Sequence, residues 1–370
     1  MTKITYQNEQ IKREYFEHLR GAEGFAESSV RTFAEAIAQW QLFSDGDDFA
    51  NFNKTKALAF REWLVKKATK TKSGQLTLVT QGNYLRRIKK FFTWLSGHPS
   101  FRTKVLKNDI EFLRLSKKDA LVARSGTTKT MPTFEEARKI IESIDIKTEI
   151  DRRDRALICF SLITGCRISA IVSLKMKSFD KNKKLIDQNP GDGVRTKNSK
   201  PILTTFFPVG WSDPENYFME WFEYLENKGF LPNDPIFPST LSDFSSVESR
   251  YSKELIGKNF WGGTSGARKI FEKRCKNAGL PYFHPHSFRH LVVSIMSKTR
   301  LTEEEKRAIS LNLGHANVST TFGAYGYGSM SGEDAVNIVQ RLKDYQDDKK
   351  NEPMITDEER QVLVRLMNKI

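Results

Sequence analysis

Apolar residues recur at three- and four-residue steps along most of the chain, the signature of helices with one buried face. In SSVRTFAEAIAQWQLF the stripe is Val30, Phe33, Ile37, Trp40 and Phe43; in KALAFREWLVKKA it is Leu58, Trp63 and Leu64, set against Lys66 and Lys67. TQGNYLRRIKKFFTWLSG predicts a helix from a Thr80 cap to Gly97, with Pro99 beyond as a stop, burying Tyr84, Ile88, Phe91, Phe92 and Leu95. Periodicity lapses in KKDALVARSGTTKTMP, where Ser, Gly, Thr and basic residues gather. Residues 118–131 are therefore expected to be a linker between a helical domain, 1–117, and a second domain, 132–330. The second domain opens on T-F-E-E, a capping box of Thr133 with Glu136, and continues into RDRALICFSLIT, a long apolar helix broken at Thr164 and Gly165. LIDQNP and GVRTKNSKPILTTFFPV read as strands around a turn, with Asn198 and Ser199 at its tip. Beyond Pro214 the pattern is mostly helical again. EDAVNIVQRLKDY and ITDEERQVLVRLMNKI, the latter with a capping box of Thr356 and Glu359, predict amphipathic helices in a tail, 331–370. The expected fold class is mainly α with a small β-sheet (α+β).

Composition adds bounds. The 370 residues are 38% hydrophobic with 26 Phe, enough for two packed cores and against wholesale disorder. No apolar run approaches the length of a membrane span, and MTKITYQNEQIKREYF lacks the apolar stretch of a secretory signal. Cys159, Cys166 and Cys275 are scattered without a CxxC, so a disulfide framework is not expected and the reducing cytoplasm is the default location.

Charge changes the picture more. Residues 51–125 hold 18 Lys and Arg against 4 Asp and Glu, whereas residues 1–50 are net negative, so one segment carries almost the whole net charge of +15. Arg86, Arg87, Lys89 and Lys90 interleave with the apolar stripe of their helix, and together with Lys66 and Lys67 they form a candidate surface for a polyanion. Such a surface gives affinity for nucleic acid without sequence preference. The aromatics here have helical spacing and read as core.

Three segments of the second domain carry unusual polar residues. HPHSFRH packs His284, His286 and His290 around Arg289. His286 and His290 at i, i+4 suit a metal, whereas His286 and Arg289 at i, i+3 suit a phosphate oxygen. The spacing lacks the Glu of H-E-x-x-H, which weakens the metal reading. In TGCRISAIVSLK, Arg167 opens a helix of apolar neighbours and calls for an anionic partner, with Asp151 or Asp154 as the structural choice. LGHANVSTTFGAYGYG places His315 after a Gly turn, and Tyr325 and Tyr327 in a Gly-rich stretch.

In this order the segments resemble the tyrosine recombinase (phage-type integrase) family. The matches are T-G-C-R at Arg167, R-T-K-N-S-K at Lys197, H-S-F-R-H at His286 and Arg289, L-G-H at His315, and S-T-T-F-G-A-Y at Tyr325. They span about 130–330, and the basic helical part before them looks like the family's core-binding domain. The resemblance implies a site-specific DNA recombinase acting through a covalent 3′-phosphotyrosine, with no metal, ATP or other cofactor. Arg167 and Arg289 would hold the non-bridging oxygens, His286 would serve as base or clamp, and Lys197 would protonate the leaving 5′-oxygen. His315 would hydrogen-bond the phosphate and Tyr325 would attack. The absence of a G-x-x-x-x-G-K-[ST] motif agrees. The implied partner is double-stranded DNA with a specific site, bound by four protomers whose C-terminal tails dock on their neighbours, with an accessory DNA-bending protein as a further partner. The resemblance also implies a mobile element of prokaryotic or phage origin, and work at the nucleoid.

The chain departs from the family pattern at Ala170, where many relatives carry Glu or Asp, and at Tyr327, where many carry His. Tyr327 is a rival nucleophile and Lys200 a rival for Lys197, while Cys166 reads as a packed thiol. Alternatives within the same chemistry are a dimer resolvase and a type IB-like topoisomerase. Outside it stand a DNA-binding protein without catalysis and a zinc hydrolase on His284, His286 and His290.

Overall fold

The computed structural model describes residues 6–67, 74–125, 131–243, 250–299, 301–323 and 336. The chain divides into two compact units, Met1–Thr127 and Thr128–Ile370.

The first unit is all helical: α1 (Tyr6–Gly21), α2 (Glu27–Phe43), α3 (Lys54–Lys66), α4 (Leu78–Leu95), the one-turn α5 (Lys107–Ile110) and α6 (Lys117–Ser125). On α1 the buried residues Asn8, Ile11, Tyr15 and Leu19 keep helical spacing. The α2 stripe buries as its spacing predicts, apart from a half-buried Phe43. Trp40 sits edge-on to Phe60 and Phe92 with centroids 5.0 and 4.9 Å away, and Phe52 stacks on Phe92 at 4.0 Å. Buried Asn8 ties α1 to the segment after α2 by donating to the Asp47 carbonyl at 2.9 Å and accepting from the Phe49 amide at 3.2 Å. Three expectations need correction. α4 is capped by Thr77, whose hydroxyl accepts from the Thr80 amide, so Thr80 lies inside the helix. On α3 the buried set is Ala57, Phe60 and Leu64, with Leu58 only half-buried. The supposed linker is helical over Lys117–Ser125: Ser116 accepts from the Asp119 amide at 3.0 Å, starting a helix that packs on α4.

The Tyr15 hydroxyl lies in this aromatic core with no hydrogen-bond partner among the described residues, and burial pushes its pKa up. Tyr15→Phe should therefore stabilise the unit by about 1 kcal/mol, read as a higher urea midpoint at unchanged slope. A lower midpoint would show that the hydroxyl is used.

The second unit is built around α8. It opens with α7 (Phe134–Glu142), where Thr133 and Glu136 form the expected capping box. Next, α8 (Glu149–Thr164) starts at a box of Thr148 with Asp151 and is buried along most of its length. It ends at Gly165, whose φ of 58° turns the chain into the one-turn α9 (Ile168–Ile171). Strands β1 (Phe179–Asp180), β2 (Leu185–Gln188) and β3 (Ile202–Thr205) form an antiparallel sheet in that order, with Ile186 opposite Phe179 on one side and Thr204 on the other. Asn198 and Ser199 take positive φ at the tip of the β2–β3 connection, as the turn reading predicts. After α10 (Asp213–Asn227) comes a second antiparallel pair, β4 (Thr240–Asp243) and β5 (Arg250–Ile256), where the sequence reading expects helix. Helices α11 (Ser265–Asn277), α12 (Pro285–Ser297), α13 (Glu303–Asn312) and the one-turn α14 (Val318–Thr321) follow. α10 and α12 pack directly on α8. The fold is thus mainly α with small sheets. Among the described residues no helix is long and apolar enough to cross a membrane. The expected tail and its capping box at Thr356 and Glu359 lie outside the described residues.

Candidate active site

Four separate pieces of chain supply the polar groups that the sequence reading selects. The first is the Gly165 turn. A Cβ at Gly165 would lie 2.8 Å from Leu313 Cδ2, so the turn needs its glycine for space as well as for φ. The turn presents Arg167 at the N-cap position of α9, half-buried above Ala170 and Ile171, which are fully buried. Neither Asp151 nor Asp154 pairs with Arg167, which corrects the structural choice of the sequence reading. Both carboxylates bind Arg274, at 2.6 and 2.7 Å, and Asp154 also binds Arg153 at 2.8 Å. Among the described residues Arg167 has no ion pair.

The second piece is the β2–β3 connection, with Lys197 exposed just before the tip and Lys200 exposed just after it. Its base is fixed. Gln188 donates to Thr204 Oγ1 at 2.6 Å, Thr204 donates to the Asn312 carbonyl at 2.8 Å, and the Thr205 amide donates to Asn312 Oδ1 at 3.1 Å. These bonds tie the hairpin to the end of α13, where the chain turns through Gly314 (φ 69°) toward His315. A Cβ on Gly314 would overlap Ile202 of β3.

The third piece is the start of α12. His284 Nδ1 accepts from the His286 amide at 3.1 Å, so this histidine caps the helix. His286 is half-buried and meets the buried His290 ring edge-on at 5.2 Å. Among the described residues no group of three or more His, Cys, Asp or Glu side chains is placed to hold a metal. Arg289 is 2% exposed. It donates to the carbonyl of Gly165 at 2.8 Å, to the carbonyl of Leu313, and to Nε2 of His315 at 2.7 Å. These three partners are neutral, so they orient the guanidinium without cancelling its charge.

His315 is the fourth piece. Its Nδ1 lies 2.9 Å from the hydroxyl of Thr321, a residue with no exposed surface. Burial, and then the positive charges of Arg289, Arg167 and Lys197, hold the imidazole down to about 3, so it is neutral at any ordinary pH. Arg289 reaches the ring directly, and the charges of Arg167, on the Gly165 turn, and Lys197, on the hairpin, also bear on it. Cys166 is buried beside them, with its thiol pushed up by burial. Tyr325 and Tyr327 lie outside the described residues.

Thr204 and Asn312 had no signal in the sequence, and Thr321 lay inside the S-T-T-F-G-A-Y match without a role of its own. Hydroxyl and amide residues in S-T-T or S-L-N read as ordinary helix surface until the fold shows what they face.

In the first unit, Arg86 and Lys90 lie on the side of α4 opposite its buried Leu85, Ile88, Phe91 and Phe92, with Arg87 and Lys89 at the two margins of that side. Arg86 is held by Asn83 at 2.6 Å, Lys89 by Glu111 at 2.7 Å, and Lys90 by Glu23 while lying over the Phe25 ring. At the end of α3, Lys66 is exposed; Lys67 lies over the Trp63 ring at 4.5 Å, bound to Gln39.

Residues 131–329 match the sequence profile of the phage integrase family. A tyrosine recombinase XerC of Lactobacillus delbrueckii subsp. bulgaricus is 21% identical over 315 residues, which cover 84% of this chain and 92% of that protein. The XerC of Oceanobacillus iheyensis is 28% identical over 204 residues, 53% of this chain and 57% of its own. Among solved structures, a lambda integrase dimer bound to a COC′ core site superimposes with a TM-score of 0.58 at 12% identity, covering 88% of this chain and 96% of that one. The Tn1549 transposon integrase in complex with transposon right end DNA gives 0.55 at 14% identity, covering 90% and 99%. With the profile running over more than half of its length, the chain belongs to the phage integrase family of tyrosine recombinases.

Proposed function

We propose that this protein is a site-specific DNA recombinase that cuts and rejoins DNA through a covalent 3′-phosphotyrosine at Tyr325. The observation that supports the reading is that buried Arg289 lies 2.7 Å from buried His315 while the charges of Arg167 and Lys197 also bear on that ring. Three cations around an uncharged ring make a site for an anion, and a phosphodiester entering it would gain most as its charge rises in the transition state.

In this mechanism the Tyr325 oxygen attacks phosphorus while Arg167 holds the non-bridging oxygens by a planar fork of N–H groups and Arg289 by the N–H groups that its protein contacts leave. His286 takes the phenolic proton, and Lys197, on its exposed hairpin tip, gives a proton to the 5′-oxygen as that bond breaks. The products are a tyrosyl 3′-ester and a free 5′-hydroxyl. Because the ester keeps the energy of the broken bond, a 5′-hydroxyl from another strand can reverse the step by giving its proton to Lys197. His315 adds hydrogen-bonding capacity without a fourth charge. Lys66, Lys67, Arg86, Arg87, Lys89 and Lys90 hold the duplex by its phosphates; the exposed pairs of Lys89 and Lys90 with glutamates are weak and can be exchanged for phosphate. Recombination of two duplexes by four protomers, serving integration or excision of a mobile element, is the fullest form of this reading. It is in keeping with a lambda integrase tetramer bound to a Holliday junction, which superimposes with a TM-score of 0.55.

The test uses supercoiled plasmid carrying the DNA that flanks the gene, incubated in EDTA and stopped with SDS. Wild type and Tyr327→Phe should give a protein–DNA adduct, and Tyr325→Phe should give none. Loss in Tyr327→Phe alone would move the nucleophile by two residues. Chelator-sensitive cleavage without an adduct would replace the reading with metal-dependent hydrolysis.

A further inference from the structure

One buried hydroxyl ties the arm of the hairpin that leads to Lys197 to the helix that Arg167 opens. Ser173 follows α9 and is 6% exposed. Its Oγ lies 2.9 Å from the carbonyls of both Ser169 and Ala170, so its one proton is taken by α9. A backbone amide can only donate, and the Arg195 amide points at Ser173 Oγ from 2.9 Å. The oxygen therefore accepts from the hairpin while its proton stays on α9. One residue earlier, Val194 is buried in the core of the unit. The next side chains hold the arm weakly. The Thr196 hydroxyl is buried with no hydrogen-bond partner among the described residues, and the Arg195 guanidinium reaches the Trp261 carbonyl at 3.3 Å, at the surface. The bonds of Thr204 and Asn312 fix the other arm, with Thr204 seven residues past Lys197.

We propose that Ser173 is a positioning residue: by clasping the Arg195 amide to α9 it holds the backbone that carries Lys197 in fixed register with Arg167. For its catalytic consequence this rests on the reading of Lys197 as proton donor to the leaving 5′-oxygen. Ser169 stands two residues after Arg167 and Arg195 two residues before Lys197, so the hydroxyl joins the two cations through short stretches of backbone. The oxygens held by Arg167 and the leaving 5′-oxygen are bonded to one phosphorus, so clamp and acid must keep a set separation. A lysine on a flexible stem at an exposed tip keeps it only if its backbone is held. Ser173→Ala removes that hold and little else, because the Ala170 carbonyl still accepts from the residue 173 amide at 2.8 Å. Ser173→Thr keeps the hydroxyl.

The first readout is amide hydrogen exchange of the full-length chain without DNA. Peptides spanning Val194 to Lys197 should exchange about 10-fold faster in Ser173→Ala and at the wild-type rate in Ser173→Thr, with α8 and α12 unchanged in both. The second is single-turnover adduct formation on two DNAs, cut at the position mapped with wild type. One is ordinary, and one has sulfur in place of the bridging 5′-oxygen. As the tyrosyl O–P bond forms on the second DNA, the P–S bond breaks and its electron pair leaves as a thiolate, which needs no proton from an acid. Ser173→Ala should be about 10- to 100-fold slower than wild type on ordinary DNA and within about threefold of it on the sulfur DNA, with Ser173→Thr close to wild type on both. Lys197→Ala should show the same recovery and Arg167→Ala none. Unchanged exchange in Ser173→Ala overturns the proposal, as does a wild-type rate on ordinary DNA. A defect that persists on sulfur DNA also overturns it, since a merely structural loss would slow both reactions alike. Failure of the recombinase reading looks different: wild type itself would form no adduct on either DNA.

Discussion

Asp154→Ala is expected to cost about 3–5 kcal/mol of stability and to leave little folded protein at physiological temperature. The carboxylate is the shared partner of two arginines, Arg153 at 2.8 Å and Arg274 at 2.7 Å, and all three side chains are almost fully buried. Arg153 continues the network to the Pro238 carbonyl and the Thr240 hydroxyl, each at 3.2 Å, and stacks over the Trp261 ring. One acid thus joins α8, β4 and α11, and its removal leaves two guanidinium groups in a dry interior. Asp151 can hold Arg274 alone, at 2.6 Å, but nothing equivalent replaces the Arg153 contact. Although burial pushes the Asp151 carboxyl up, its bonds to Thr148 and Arg274 outweigh that and leave it below the usual range. Its contribution is therefore present above the unfolded carboxylate pKa and is lost as pH falls through the depressed folded value. Urea unfolding of wild type and Asp154→Ala at pH 7 measures the main effect; a difference under 1 kcal/mol would mean that the arginines relax to solvent. An Asp154→Leu, Arg153→Met double variant provides the contrast, since an apolar replacement of a buried pair often regains what breaking it costs.

How much of this was legible in the sequence depends on the range of the contact. Local devices were readable: the Thr133 and Glu136 box, the glycine that ends α8, the positive-φ pair at Asn198 and Ser199, and the α2 stripe all rest on residues within a few positions of each other. The candidate site residues were selected as a set for a different reason, the family motif order. Contacts set by tertiary folding were not. Asp151 and Asp154 are spoken for by Arg274, more than a hundred residues away, so the sequence could not withhold them from Arg167. Lys90 looks like a solvated cation until Glu23 comes beside it. The β4 and β5 pair follows a long helical stretch and carries few β-branched residues, so periodicity gave no reason to expect it. Residues 117–125 show the limit of composition: basic and small residues suggested a linker, yet Ser116 caps a helix there and α4 gives it a surface.

Arg289→Lys should lower the rate of covalent adduct formation by about 10²- to 10³-fold while leaving DNA affinity close to that of the wild type. The charge is kept, so a reading in which the site needs only positive potential predicts a small effect. The geometry argues otherwise. Arg289 serves the Gly165 carbonyl, the Leu313 carbonyl and His315 Nε2 from one planar group, which fixes the direction of its remaining N–H groups for the phosphate. A lysine ammonium has three donors on a flexible stem and cannot hold this arrangement rigid. Arg289→Ala should slow the step at least as much, and it should also destabilise the fold by about 1–3 kcal/mol, because the buried carbonyls lose the donors they use. The lysine variant separates chemistry from folding, since it retains charge and most of the volume. Affinity should persist in both variants, with unchanged salt dependence, if non-specific attraction comes from the cations of α3 and α4 as proposed. Single-turnover adduct formation and fluorescence anisotropy on the same DNA measure the two quantities. An Arg289→Lys rate within twofold of the wild type would show that charge alone suffices and that the fixed geometry of the guanidinium is not used.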